Sequence, residues 1–230
     1  MDFALAGCRC NAENLPAAGG NDPQSAEPSA VPSGDPAKET DASSATAGTP
    51  GEEPVPGAKT LVICFSRTGE QYTVGVIEKG NTAIVAEMIA EKTGADLFEV
   101  VPADDHYPMT YAALTDVAKR EQSEKARPAY KGSLPDLSGY DTIFIGAPVW
   151  WGDWPMIMYT VFERGDFAGK NLVPFSTHEG SGLSGFDRKL ASACPDSGIL
   201  TGRAFRGNDC QNRQDDVKSE VDRWLSGLGY

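Results

Sequence analysis

Several features that would mark other classes of protein are missing from this sequence. No apolar run in its 230 residues approaches the length of a membrane-spanning helix. Acidic residues outnumber basic ones by 33 to 20, and no basic run or patch is present, so nucleic acid is not an expected partner. The five cysteines lack metal-ligand spacing.

Large apolar side chains are also nearly absent from residues 11–57, which consist mainly of Pro, Ala, Gly, Ser, Glu and Asp. Such a composition buries too little apolar surface to offset the entropy of ordering, so a disordered linker is predicted within residues 1–57. Residues 58–230 are long enough for one domain with a real core. They carry 24 acidic and 18 basic residues, which is a mildly acidic balance.

The segment Leu5–Cys8 reads Leu-Ala-Gly-Cys and resembles a bacterial lipobox, in which the cysteine is acylated after signal cleavage. The resemblance implies export and a lipid anchor at Cys8 in the cell envelope, with the linker as a tether. Only Met1–Gly7 precede the cysteine, and they contain no basic residue, so we expect that the start is truncated. A chance match, with the protein in the cytoplasm, is the alternative.

Apolar segments alternate with helical patterns in residues 58–230, which predicts an α/β fold. The strands are predicted to begin near Leu61, Asp96, Thr142, Leu172 and Leu200. Those near Leu61, Thr142 and Leu172 are apolar throughout, as expected of parallel strands buried on both faces, so they are predicted to be central. The other two carry polar residues, so they are predicted to be the edges.

Two cysteines late in the chain, Cys194 and Cys210, are predicted to stay unpaired. Cys194 ends a helix that returns to the N-terminal edge of the sheet, whereas Cys210 follows the last strand at the C-terminal edge. A strand of about six residues separates the two edges by roughly 20 Å, whereas a disulfide needs Cα atoms within about 7 Å.

The first predicted strand ends in a hydroxyl-rich loop, and a helical pattern opens after a short insertion. Strand, hydroxyl loop and helix N-terminus together favour a phosphate, because free backbone N–H groups and the helix dipole attract an anion and hydroxyls add donors. The residues assigned to this site are Ser66, Arg67, Thr68, Gly69, Asn81 and Thr82. A Ser/Thr-rich turn that only caps the helix is the alternative interpretation.

The insertion between loop and helix, residues 70–80, has an alternating pattern of apolar side chains at Tyr72, Val74 and Val76. Its glycines allow tight turns, so a small flap beside the phosphate or over the neighbouring ligand is predicted. A surface insertion without a role is the alternative.

Three tryptophans, Trp150, Trp151 and Trp154, follow the third predicted strand before the next helix begins. They offer a wide aromatic face to a planar ring. Ligands of open α/β sheets bind at the carboxyl ends of the strands, so this loop and the glycine-rich loop after the fourth strand are predicted to share a crevice with the phosphate site. Three core tryptophans beneath a helix are the alternative.

Without the insertion the phosphate loop would read Ser-Arg-Thr-Gly-Asn-Thr, which resembles the FMN-phosphate loop of the flavodoxin family. Trp151–Asp153 resembles the flavin-contacting Trp-Gly-Asp loop of short flavodoxins, and Pro148–Trp151 resembles the Pro-x-Trp-Trp loop of a bacterial flavodoxin-like subfamily. These motifs stand in the right order across nearly all of residues 58–230. The resemblance implies a three-layer flavodoxin-like α/β fold, a five-stranded parallel sheet in the order 2-1-3-4-5, and FMN as the cofactor.

By this resemblance Trp151 stacks on the isoalloxazine ring, and Gly152 lets a peptide flip toward the reduced ring without a Cβ clash. Trp150 is expected to contribute packing at the strand end. The predicted flavin contacts are Pro148, Val149, Trp150, Trp151, Gly152, Thr177, His178, Glu179, Gly180 and Gly182. His178 is the candidate proton donor, with a hydrogen-bonding role as the alternative, and the other interpretation of Glu179 is a solvated loop acid.

An electron-transfer flavoprotein is the favoured function, with a redox partner protein or a small-molecule electron acceptor. An NAD(P)H- or quinone-linked FMN-dependent oxidoreductase is the alternative, and a binding module that has lost the cofactor is a third hypothesis. An exposed flavin edge would favour the carrier, whereas a pocket roofed by residues 70–80 would favour the reductase.

Overall fold

A parallel sheet runs through the computed structural model, which describes residues 59–230. The predicted lipobox at Cys8 and the predicted linker within residues 1–57 lie outside the described residues and stay predictions.

The strands and helices alternate along the described chain. The strands are β1 (Thr60–Cys64), β2 (Gly69–Gln71), β3 (Gly75–Ile77), β4 (Asp96–Glu99), β5 (Thr142–Pro148), β6 (Asn171–His178), β7 (Gly198–Ile199) and β8 (Arg203–Arg206). The helices are α1 (Asn81–Thr93), α2 (Tyr111–Glu124), α3 (Met156–Arg164), α4 (Phe186–Ala193), α5 (Gly207–Asn212) and α6 (Gln214–Gly227). None of these helices of residues 59–230 combines the length and the apolar character needed to cross a bilayer.

The order of the strands in the sheet is β4, β1, β5, β6, and both β7 and β8 pair with β6 at the far edge. All of these pairs are parallel. With β7 and β8 counted as one interrupted strand, the order is 2-1-3-4-5, so the predicted α/β fold is confirmed. β1, β5 and β6 are buried along most of their length, whereas β4 is largely exposed and β8 is exposed at both of its end residues.

The last strand differs from the single segment that the sequence predicts, because it breaks opposite Pro174 of β6. The Leu172 carbonyl accepts a hydrogen bond from the Leu200 amide at 2.9 Å, so the backbone of Pro174, two residues further on, faces the same neighbour. Proline has no N–H to continue this ladder. Gly202 passes so close that a Cβ there would lie 2.4 Å from the Pro174 carbonyl oxygen. Pairing resumes only where β8 meets the end of β6.

Helices cover both faces of the sheet and create two cores. Ile63 of β1 and the following Phe65 belong to one core together with Ile157 of α3, whereas Val62 and Cys64 belong to the other. This burial on both faces explains why the first strand is apolar at every position.

The cysteines of the described residues confirm the expected lack of pairing. Cys64, Cys194 and Cys210 are all buried and free. Cys194 lies in the core on one face of the sheet and Cys210 in the core on the other. Burial raises the pKa of the Cys194 thiol to about 11 and that of Cys210 to about 12, so both stay protonated at neutral pH.

The insertion after the first strand forms the flap that its alternating pattern predicts. β2 and β3 pair antiparallel as a hairpin. The Glu70 amide donates to the Met109 carbonyl at 2.8 Å, and the Glu70 carboxylate accepts from the Tyr111 amide at 2.8 Å. The hairpin is therefore fixed to the first turn of α2 rather than standing free in solvent.

Candidate functional site

A cavity of about 300 Å³ opens at the carboxyl end of β1 and β5, where the chain order of the sheet reverses. It brings together most of the predicted site residues. Those that line it are Ser66, Arg67, Asn81, Thr82, Pro148, Val149, Trp150, Trp151, Thr177, His178 and Glu179. The remaining predicted residues lie outside its lining, namely Thr68, Gly69, Gly152, Gly180 and Gly182.

The start of α1 forms the polar end of the cavity. The Ser66 hydroxyl accepts a hydrogen bond from the Ala83 amide at 3.0 Å, so the loop after β1 caps the helix in place of a local side chain. Gly80 makes this approach possible, because a Cβ there would lie 2.1 Å from Ser66 Oγ and 2.7 Å from the Arg67 carbonyl oxygen. The positive end of the helix dipole and the remaining first-turn amides thus face the cavity loop.

Two side chains of α1 tie this end of the cavity to neighbouring elements. The Thr82 hydroxyl lies 2.7 Å from the Thr177 hydroxyl at the end of β6, and both residues are buried. The Asn81 side-chain oxygen accepts a hydrogen bond from Gln211 Nε2 of α5 at 2.7 Å. These bonds fix the end of β6 and α5 against the start of α1.

Arg67 places a positive charge at the same end. Its Nη1 donates to Asp105 at 2.7 Å, and its Nη2 donates to the Tyr107 carbonyl at 2.9 Å. Its side chain is only 8% exposed, and Nε is buried without a partner among the described residues. A buried donor without a partner costs free energy unless a ligand satisfies it, so this atom fits a bound anion.

The aromatic wall divides into three different environments. Trp150 is half-buried and packs edge-on against Phe65 and Tyr107, with ring centroids 5.4 and 5.3 Å away. Trp154 is fully buried and stacks on Phe186 at 3.6 Å, so this tryptophan belongs to the core and not to the ligand face. Trp151 is 52% exposed at the cavity wall.

His178 is the last residue of β6 and accepts a hydrogen bond at Nδ1 from the Gly180 amide at 2.8 Å. Neutral imidazole therefore carries its proton on Nε2. Burial lowers the pKa of His178, which keeps the ring neutral at physiological pH.

Glu179 is not the solvated loop acid of the other sequence interpretation. Its side chain is only 11% exposed and pairs with Arg206 at 3.0 Å. The Asn208 amide donates to the same carboxylate at 2.5 Å, so Glu179 joins the β6 loop to the start of α5.

Part of the lining comes from elements that sequence patterns did not assign to the site. These residues are Gln71, Tyr72, Val74, Tyr111, Leu114, Thr115, Ala118, Ser181 and Gly207. The alternation at Tyr72 and Val74 marks the hairpin, but its position over the cavity depends on the tertiary contact with α2. Tyr111 and Leu114 have the spacing of a buried helix face, which does not distinguish a core from a cavity wall.

A buried carboxylate fixes the segment that holds Arg67. Glu121 of α2 is 5% exposed and accepts hydrogen bonds from His106 Nε2 at 2.9 Å and from the Tyr107 hydroxyl at 3.0 Å. The hydrogen bond to Glu121 raises the pKa of His106. Since Asp105 and the Tyr107 carbonyl hold Arg67, this cluster supports the charged end of the cavity.

The sheet order and the crevice at its switch point define a flavodoxin-like α/β domain. A flavodoxin family model matches residues 73–224, and the chain belongs to the flavodoxin family. That match begins after residues 66–69. No curated protein matched the sequence.

Solved structures of similar proteins agree with this placement. A protein from Bacteroides uniformis, assigned as a flavoprotein, is 31% identical over 74% of this chain and 98% of its own, with a TM-score of 0.59. A protein from Bacteroides eggerthii with the same assignment is 27% identical over 75% of this chain and 99% of its own, also with a TM-score of 0.59. A flavoprotein from Lactobacillus acidophilus, solved in complex with FMN, shares the fold at 23% identity over 73% of this chain and 99% of its own, with a TM-score of 0.54.

The His106–Glu121 pair makes a testable contribution to stability that depends on pH. A raised native pKa means that the contribution is fully present below the unfolded value of about 6.5 and is lost as the pH rises through the native pKa. We expect the difference in unfolding free energy between wild type and His106→Gln to shrink as the pH rises, measured by urea denaturation between about pH 5.5 and 8.5.

His178→Gln is the matched control, because burial lowers the native pKa of His178. Its difference in unfolding free energy from wild type should therefore grow as the pH rises. A difference in unfolding free energy between wild type and His106→Gln that does not change with pH would show that the ion pair contributes nothing to stability.

Proposed function

We propose that this domain binds FMN in the cavity and acts as a redox protein that transfers electrons through the flavin. The observation that carries the proposal is the convergence of the α1 N-terminus, Ser66 and Arg67 on one end of a cavity that Tyr72, Tyr111, Trp150 and Trp151 also line. Among the described residues, the buried Nε of Arg67 has no partner. The FMN complex of the Lactobacillus acidophilus flavoprotein, which shares the fold, is consistent with this choice of ligand.

The polar end suits the FMN phosphate. The first-turn amides of α1 supply donors and the positive end of the helix dipole, while Ser66 and Arg67 add side-chain donors. Because Asp105 neutralises part of the Arg67 charge, the helix start would carry much of the attraction for the phosphate. The hydrogen bond between the buried Thr82 and Thr177 hydroxyls holds the start of α1 against the end of β6.

The remaining residues suit the isoalloxazine ring, which supplies one- and two-electron redox chemistry when FMN is bound. Trp151 would cover one face of the ring. The neutral His178 would offer Nε2–H as a hydrogen-bond donor rather than a full charge. Half-exposure of Trp151 leaves an edge of the cavity open to solvent, which favours exchange of electrons with a partner protein.

A reductase that acts on a small molecule is the second candidate function, and one observation favours it. Gln71, Tyr72 and Val74 of the hairpin line the cavity. A wall of this kind shapes a substrate space and excludes water beside the flavin. The substrate would be an NAD(P)H- or quinone-type electron donor or acceptor.

Acylation of Cys8 and attachment to the cell envelope form a separate proposal. It rests on the sequence of residues 5–8 alone.

Fluorescence titration of the full chain with FMN and with riboflavin tests the phosphate assignment. FMN should bind far more tightly, and Ser66→Ala and Arg67→Met should each weaken FMN by about tenfold or more, as loss of a hydrogen bond to a charged group does. Riboflavin affinity should change little in both variants, since riboflavin has no phosphate.

Ser219→Ala and Arg223→Met, exposed on α6, are matched controls that should leave both affinities unchanged. Equal affinity for the two flavins in the wild-type chain would rule out the phosphate assignment.

Steady-state oxidation of NADH and NADPH by the FMN-loaded protein, with several electron acceptors, separates the two candidate functions. If the hairpin shapes a substrate site, turnover should saturate with substrate, and Tyr72→Ala should raise KM with little change in FMN affinity. Val76→Ala is the control, because Val76 lies in the same hairpin but is 82% exposed and outside the cavity lining. NADH and NADPH oxidation no faster than with free FMN would exclude the reductase and leave electron transfer as the remaining candidate function.

A further inference from the structure

The turn that carries Trp151 has an unusual backbone for a tryptophan. The Trp150 amide donates to the Asp153 carbonyl at 3.0 Å, and the Asp153 amide donates to the Trp150 carbonyl at 2.9 Å. These reciprocal bonds close a two-residue turn in which Trp151 has φ 50° and Gly152 has φ 72°. Glycine and asparagine are the common residues for such a turn, whereas a bulky side chain with positive φ is a real outlier that surrounding contacts must hold.

Contacts from α2 hold the indole and the backbone carbonyl of Trp151. Its Nε1 donates to the Thr115 carbonyl at 2.9 Å, and Gln122 Nε2 donates to the Trp151 carbonyl at 3.3 Å. The Lys119 ammonium lies 5.0 Å from the centre of the indole ring. These contacts orient the side chain, but they do not fix the Gly152 and Asp153 side of the turn.

Lys189 of α4 fixes that other side. Its Nζ donates to the Gly152 carbonyl and, at 3.2 Å, to the Ser184 carbonyl. It also lies 3.2 Å from the Asp153 carboxylate, and its side chain is only one-third exposed. One ammonium group therefore joins the turn to the segment that follows the β6 loop.

The Asp153 carboxylate also attaches the turn to α3. It accepts hydrogen bonds from the Trp154 amide at 2.8 Å and from the Tyr159 hydroxyl of α3 at 2.9 Å. Removal of the Lys189 charge would leave the carboxylate bound to α3, but the Gly152 carbonyl would lose the donor that holds the turn in its left-handed conformation.

We propose that Lys189 is a positioning residue for Trp151. It acts through the Gly152 carbonyl and Asp153 to keep the turn closed, and so it keeps the indole against α2 on the cavity wall. The consequence for flavin binding rests on the proposed function, but the effect on Trp151 in the free protein does not. The role lies at the ring end of the cavity, far from the phosphate donors, so FMN and riboflavin should be affected equally.

The test compares wild type with Lys189→Met, Lys189→Gln and Lys189→Arg, with Arg188→Met as control because Arg188 is the exposed neighbour on the same helix. In the flavin-free protein, acrylamide quenching of the Trp151 fluorescence, isolated by subtraction of the Trp151→Phe signal, should increase in the Met and Gln variants. The Arg variant should restore the wild-type signal, and Arg188→Met should leave it unchanged.

With flavin present, the Met and Gln variants should bind FMN and riboflavin about tenfold more weakly, the equivalent of one lost stacking contact, and should shift the flavin absorption spectrum. A lower melting temperature with unchanged quenching and an unchanged spectrum would overturn the proposal, because Lys189 would then stabilise the fold only. If the wild type binds no flavin, the proposed function fails, and the quenching measurement alone still decides the role of Lys189.

Discussion

The close approach of the loop after β1 to the start of α1 is the contact on which the rest of the site depends. Ser66 caps the helix, and only a glycine at position 80 leaves room for it. Gly80, the last residue of the 70–80 insertion, lies at this contact, whereas Glu70, the first, is bonded to the start of α2. The same contact aims the positive end of the helix dipole at the cavity, a placement that favours an anion.

The charged and aromatic groups of the site are positioned by hydrogen bonds from neighbouring segments of the chain. Glu121 is buried in α2 and holds His106 and Tyr107, and the segment between β4 and α2 in turn holds Arg67. On the other side, Lys189 and Asp153 hold the turn that carries Trp151. Arg67 and the turn of Trp151 are thus held by partners outside the cavity lining, such as Asp105 and Lys189, which is the arrangement that a preorganised binding site needs.

Much of the architecture was predictable because it follows from burial. The continuous apolar runs of β1, β5 and β6 identify the central strands, and the alternation at Tyr72, Val74 and Val76 identifies the hairpin. The break opposite Pro174 was not foreseen, since it depends on which neighbour the proline faces.

Side-chain environments were harder to predict from the sequence. Trp151 and Trp154 stand three residues apart in one loop, yet one lines the cavity and the other is buried against Phe186. Glu179 is nearly buried because Arg206 and the start of α5 come to it from a distant part of the chain.

The central claim, that the start of α1 and the loop at Ser66 and Arg67 hold the flavin phosphate, is tested most directly by phosphorus-31 NMR of FMN bound to the full chain. A free phosphate monoester titrates with a pKa of about 6, so its resonance moves across that range. The resonance of bound FMN should stay constant from about pH 5 to 8, because the donors at the helix start and Arg67 favour the dianion. A bound phosphate that titrates as it does in free FMN would contradict this claim.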